Sequence, residues 1–208
     1  MNKLLVRAKL AGRLLRFVPF ARMVGLNGSL VRGEETPESD IDILIIAKSG
    51  RLYTTRFFAT GLIGLSGWRR AGKRVSGRIC LNCYLSDKNP SIFPENKKDI
   101  SKVIRAYKYM IPLVDDGSLK IFFKKNRWFE QFEVNGEEHS QVLRELIFTK
   151  FPLKPRNRFI EKVLSAKFGD FLEQKLMNYQ IKRIFAGKKK NDHIYADKFA
   201  IKLHPKKS

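Results

Sequence analysis

The stretch Gly28–Ile46, GSLVRGEETPESDIDILII, decides how this chain is read. It opens on a Gly-Ser pair, and ten residues later comes Asp40-Ile41-Asp42. Ahead of it, Ala21–Leu26 is a short, mostly apolar run that stops at Asn27-Gly28-Ser29. That pattern reads as a buried strand running into a turn. Asp40–Ala47 (DIDILIIA) is β-branched and wholly apolar after its acids, the clearest strand in the chain. A Gly-Ser turn that leaves a strand and opens a helix lets backbone approach closely. It offers N–H groups and a hydroxyl to phosphate oxygens. Aspartates at i and i+2 on a strand point to one face, which suits joint coordination of one or two Mg²⁺ ions. A phosphate cradle beside a carboxylate pair is what in-line attack on a nucleotide α-phosphate requires.

With the Arg32-Gly33 pair between its two halves, this segment resembles the signature of the DNA polymerase β-like nucleotidyltransferase superfamily. The likeness is to its minimal members in particular, which include nucleotidyltransferase-type antitoxins, and it covers residues 20–87. The resemblance implies an α/β (α+β) fold with a small mixed sheet flanked by helices. It implies Gly28, Ser29 and Arg32 on the nucleoside triphosphate, and Asp40 and Asp42 as catalytic ligands of Mg²⁺, two ions if the site is active. The basic loop Gly72–Gly77 brings Lys73 and Arg74, with Arg78 at its end, to where a triphosphate or a nucleic-acid backbone would lie.

One departure stands out. Active members place a third carboxylate on a later strand, where it helps hold metal and takes the proton of the attacking hydroxyl. The matching strand here, Arg78–Leu85 (RICLNCYL), has Asn82 as its inward polar residue. An amide oxygen can ligate Mg²⁺ but brings no charge and cannot act as a general base. Asp87 lies just beyond that strand as the one other acid in range. Three readings follow. The first is an Mg²⁺-dependent nucleotidyltransferase that moves a nucleoside monophosphate to a hydroxyl of a nucleic-acid or protein acceptor and releases pyrophosphate. The second is a catalytically impaired relative that binds nucleotide or RNA as a partner or regulator. The third is an antitoxin that modifies a small helical partner protein.

Working outward, Leu4, Ala8, Ala11, Leu15 and Val18 form a helical stripe that Pro19 closes. Residues 52–68 read as helical. Past Pro94 the pattern turns to helices: one from Asp99 or Ser101 through Ile111, one carrying Leu119, Phe122, Phe123 and Phe129, then 139–151 and 158–186. The last ends at Gly187 and the solvated run Lys188-Lys189-Lys190. The expected organisation is a nucleotidyltransferase-fold domain over 1–95 and a basic helical region over 96–208.

The chain of 208 residues is 43% hydrophobic and 30% charged, enough to bury a core. Lys plus Arg is 42 against 20 acids, a net +22, and residues 151–208 alone carry +10. Such a charge points to a polyanionic partner such as nucleic acid and argues against cationic acceptors, antibiotics among them. In the tail, Lys182, Arg183 and Lys188–Lys190 are placed to attach phosphate backbone by charge, with Tyr179 and Phe185 among them. Cys80 and Cys83 form a C-x-x-C, but an offset of three on a strand sends them to opposite faces. With no second cluster of Cys or His, they read as core residues, and His139, His193 and His204 lack metal-ligand spacing. Two cysteines make no disulfide framework. No run reaches the roughly 20 apolar residues of a bilayer span, and Phe57–Trp68 is interrupted by three glycines. The Arg-rich N-terminus reads as mature protein, and the expected location is cytoplasmic.

Overall fold

The computed structural model describes residues 2–72, 74–94, 99–148, 153–155, 158–187 and 193–204. Lys73 and Lys188–Lys190 lie outside the described residues. The centre of the molecule is the DIDILIIA segment: Ile41–Ala47 forms β2, and every residue from Ile43 to Ala47 is inaccessible to solvent. Such a strand is β-branched along its length because both of its faces are covered.

Six strands form one mixed sheet in the order β4-β1-β2-β3-β6-β5. Ala21–Asn27 (β1) runs antiparallel to β2, with Asn27 opposite Asp42. Ile79–Ser86 (β3) lies parallel to β2, which requires the crossover that helix α3 (Leu52–Leu65) supplies. Ile111–Asp115 (β4) extends the sheet beyond β1. The hairpin His193–Ala196 (β5) and Ala200–His204 (β6) extends it beyond β3. Strands from beyond residue 95 therefore complete a sheet begun before it. Helices α1 (Lys3–Leu15), α3 and α8 (Lys167–Ala186) cover the face that carries Ile41, Ile43 and Ile45. The other face carries Leu44 and Ile46 and packs against Ile104 and Tyr107 of α4 (Ile100–Tyr107) and Phe122 of α5 (Ser118–Lys125). Burying one such Ile or Leu contributes about 1.5–3 kcal/mol. The four-residue helix α2 (Ser29–Arg32) follows β1 directly, and α6 (Glu137–Phe148) and α7 (Arg158–Leu164) complete the helical part.

Three expectations change. The helix expected through Ile111 ends at Tyr107, and Ile111–Asp115 is a strand. Pro112 is tolerated there because β4 ends the sheet and its register against β1 shifts beside the proline, Val24 pairing with Val114 and Gly25 with Pro112. The helix expected over 158–186 is two helices, interrupted at Ser165, whose hydroxyl donates to the Glu161 carbonyl at 2.6 Å. The hairpin at the end was unforeseen, and its turn is held by Asp197, whose Oδ1 accepts the N–H groups of Phe199 and Ala200.

Candidate active site

Asp40 and Asp42 sit at the start of β2, where the strand enters a cleft of about 370 Å³. The cleft also takes Asn27, Gly28, Ser29 and Arg32 from the β1–α2 turn, Arg70, Cys80 and Asn82 from the β3 side, and Lys102, Arg105 and Ala106 from α4. Of the sequence-expected site residues, Gly28, Ser29, Arg32, Asp40, Asp42 and Asn82 are brought together. Arg74 is not in the lining; it is bridged to Ala71 in the exposed loop. Asp87 does not reach in either, because it lies at the far end of β3 and accepts the Ser49 N–H at 2.8 Å.

Gly28 has φ +80, a conformation that L side chains rarely adopt. A Cβ there would collide with Asp42 Oδ2, so glycine is what lets the turn close over the second aspartate. The Gly28 N–H donates to the Ala106 carbonyl at 3.1 Å, which ties α4 to the turn and commits that donor. Arg32 is similarly committed. It donates to the carbonyls of Gly28 (3.1 Å) and Arg105, and to Glu34 Oε2 at 2.7 Å. Arg105 donates to the same Glu34 oxygen at 2.6 Å. The hydrogen bond from Arg32, above all, holds the Glu34 carboxyl below its ordinary value.

Asn82 sits on a β-bulge. Ile43 pairs with Leu81 and Leu44 with Cys83, so the register skips Asn82. The extra residue turns Asn82 and the strand beyond it toward the Asp42 face, as bulges beside sites commonly do. This corrects the expectation for the two cysteines. Cys80 lies with Asp40 and Asp42, and Cys83 packs with Leu44 and Ile46, on the same face. Asn82 Nδ2 donates to Asp42 Oδ1 at 2.7 Å, which leaves its own Oδ1 buried with no partner. Asn27 Oδ1 is buried and unpartnered in the same cleft.

Ligand atoms of Asp40, Asp42 and Cys80 all lie within 4.8 Å of one another. Burial, then the charges of Asp42 and Asp40, push the Cys80 thiol up, so it remains a neutral thiol. The anionic donors are therefore two carboxylates, with two orphan amide oxygens close by, and this oxygen-rich set fits a hard cation such as Mg²⁺.

Arg70 was not foreseen. Its Nη1 bonds Asp40 Oδ2 at 2.5 Å and lies 3.7 Å from Cys80 Sγ. Trp68–Arg70 runs beside the start of β3, with the Arg70 N–H on the Ile79 carbonyl and the Ile79 N–H on that of Trp68. An extended segment sends neighbouring side chains to opposite sides, so the available signal was the Arg69-Arg70 tandem itself. Arg32, Arg70, Lys102 and Arg105 surround Asp40 and Asp42 in the lining, an electropositive frame suited to a polyphosphate. Among the described residues no helix is long and apolar enough to cross a membrane.

A family model described as a nucleotidyltransferase domain matches residues 7–166. No curated protein matches the chain.

Proposed function

Because the chain belongs to the nucleotidyltransferase domain family, consistent with the DNA polymerase β-like superfamily, we propose that this cleft carries Mg²⁺-dependent transfer of a nucleoside monophosphate from an NTP to an acceptor hydroxyl. The observation that carries the reading is the convergence of Asp40, Asp42 and the Asn82 amide beside the Gly28-Ser29 turn, inside the matched region. Asp40 and Asp42, with Asn82 Oδ1, would hold the cation. When bound, such a cation polarises the phosphoryl oxygens and neutralises developing charge.

The chain's own residues have separable tasks. Ser29 presents its hydroxyl where the polyphosphate enters. Arg70 balances Asp40, and Lys102 and Arg105 draw the anionic substrate to the rim. Asp42 is the carboxylate best placed to take the acceptor proton, because Asn82 has no proton-accepting form. The acceptor is a nucleic acid or a protein, and the +22 charge favours the first.

A second reading draws support from the Asn82–Asp42 hydrogen bond. It is a protein that keeps the fold and binds nucleotide or RNA without transfer. Incubation with Mg²⁺, each α-labelled NTP and a cell extract separates the two, with Asp42→Asn as control. Label in a nucleic-acid or protein band that disappears in the variant supports transfer. Nucleotide binding with no label, and a gain of label in Asn82→Asp, would favour the second reading. Equal labelling by wild type and Asp42→Asn would remove Asp42 from the chemistry.

A further inference from the structure

Across the sheet from the catalytic cleft, α3, α8 and the β5–β6 hairpin enclose a second pocket of about 520 Å³. Three arginines line it: Arg56 of α3, Arg69 of the segment beside β3, and Arg183 of α8. Among the described residues none of the three is paired with a carboxylate.

Arg56 is the informative one. Its Nη1 donates to Gln180 Oε1 at 2.6 Å, and its Nε is buried without a partner. Gln180 is only 5% exposed, and its Nε2 is fixed on the Tyr53 carbonyl at 2.9 Å, so the amide oxygen is held toward Arg56. Beneath them the Tyr84 hydroxyl is also buried with no partner, and its ring lies 5.9 Å from the Arg56 guanidinium carbon. A partly buried guanidinium without a counter-charge is costly, and an anion is the usual remedy. Burial lowers the Arg56 pKa, and the charges of Arg69 and Arg183 add to that effect. Arg183 is oriented by Tyr179, donating to its hydroxyl at 3.1 Å and lying over its ring. Tyr179 and Phe57 line the same pocket and are half exposed, flat surfaces of the kind on which a base stacks.

We infer that this pocket is a phosphate-binding site, separate from the catalytic cleft, that takes a phosphate of a nucleotide or of a nucleic-acid chain on Arg56, Arg69 and Arg183. Arg69 and Arg70 are neighbours in an extended segment and serve the two sites, and Leu203 borders both. The inference does not depend on whether the cleft transfers nucleotides.

The test uses the full chain in EDTA with three probes: inorganic phosphate, AMP and a short single-stranded RNA. Melting temperature and fluorescence titration are read for wild type, Arg56→Met, Arg183→Ala and the cleft variant Ser29→Ala. Phosphate should raise the melting temperature of wild type and of Ser29→Ala alike. Arg183→Ala should weaken binding about tenfold, the size of one charge-assisted hydrogen bond. Arg56→Met should abolish the response, and its anion-free melting temperature, lowered by the lost Gln180 hydrogen bond, is the baseline against which that response is read. If Arg56→Met does not fold, Arg183→Ala, exposed on α8, carries the test alone. RNA binding tighter than AMP, with a steep salt dependence, assigns the pocket to a nucleic-acid chain; equal binding assigns it to a mononucleotide. No response to any probe overturns the inference. So does an unchanged response in Arg183→Ala, or a response lost in Ser29→Ala, which would place the anion in the cleft.

Discussion

Asn82 gives its amide N–H to Asp42 at 2.7 Å and keeps its own oxygen buried without a partner. The amide thus neutralises nothing, yet it fixes the orientation of a carboxylate and faces the cleft with an acceptor. Replacing it with a second carboxylate reverses that logic. Two like charges at hydrogen-bonding distance repel, and each raises the other's pKa unless a cation lies between them. Asn82→Asp is therefore expected to lose about 1–3 kcal/mol in EDTA and to recover most of it in Mg²⁺. Melting curves in the two buffers check this, and an equal loss in both would remove Asn82 from the metal's surroundings.

Arg70 and Asp40 form the complementary case. The pair is partly buried, with side-chain exposures of 27% and 9%. Removing the guanidinium strands a carboxylate in a poorly solvated place. Arg70→Ala should cost about 2 kcal/mol without metal, less than the 3–5 kcal/mol for breaking a fully buried pair. A bound cation replaces the lost charge, so the deficit should shrink in Mg²⁺. Denaturant titrations with and without Mg²⁺ decide it; identical deficits would mean that no cation reaches Asp40.

Gly28 and Gly61 give a matched pair of substitutions. At Gly28 a methyl group meets both a positive φ and the Asp42 carboxylate, so Gly28→Ala should lose about 1–3 kcal/mol. It should also displace Asp42 and lower transfer in the labelling assay. Gly61 is inside α3 with open space where a Cβ would go. Gly61→Ala should gain about 0.5–1 kcal/mol through helix propensity and leave the cleft untouched. Equilibrium unfolding of both variants tests the contrast, and a neutral Gly28→Ala would contradict the packing described.

The parts of this fold that the sequence reveals are those where local pattern and tertiary role agree. Asp40–Ala47 is β-branched, carries its acids at one end and occupies the centre of the sheet, so its reading needed no other element. The same holds for Gly28-Ser29, whose spacing to Asp40 is set by one loop. Ile111–Asp115 was hidden because five residues with a proline match no strand template; only the β1 edge makes them one. The β5–β6 hairpin was obscured by the basic run before it. Asn82 was found as the inward residue of its strand, but the bulge that turns it, and that brings Cys80 and Cys83 to one face, depends on the register against β2. Arg70 gave no signal beyond being one of two adjacent arginines, because its partner Asp40 lies 30 residues away.

The Arg32–Glu34–Arg105 cluster predicts an acid limb of stability. Glu34 has a folded-state pKa below its ordinary 4.5, with the Arg32 hydrogen bond as the largest cause. A depressed carboxyl contributes its stabilisation fully above the unfolded value and loses it as pH falls through the folded one. The melting temperature should therefore drop on acidification below about pH 4.5, and Glu34→Gln should flatten that part of the profile. The substitution also removes a negative charge from beside Arg32 and Arg105, so binding of a polyphosphate at neutral pH should be kept or strengthened. A wild-type acid limb retained in Glu34→Gln would assign the loss to other carboxyls.

Glu173 of α8 accepts the backbone N–H groups of Tyr53 and Thr54 and the Thr54 hydroxyl, each within 2.8 Å. These are the first turn of α3, whose own N-cap residue, Arg51, offers no side-chain cap. One carboxylate 120 residues away in sequence thus satisfies the orphan donors of the crossover helix and complements its dipole. The bond couples the late helix α8 to the β2–β3 connection on which both cleft strands depend. Glu173→Ala should cost about 1–2 kcal/mol, the range of a lost N-cap, and Glu173→Gln should recover part of that, since an amide oxygen still accepts but carries no charge. Hydrogen exchange should show the loss at the Tyr53 and Thr54 amides first, ahead of the β2 amides. Uniform deprotection across the sheet would mean that Glu173 acts on the whole fold and not through the start of α3.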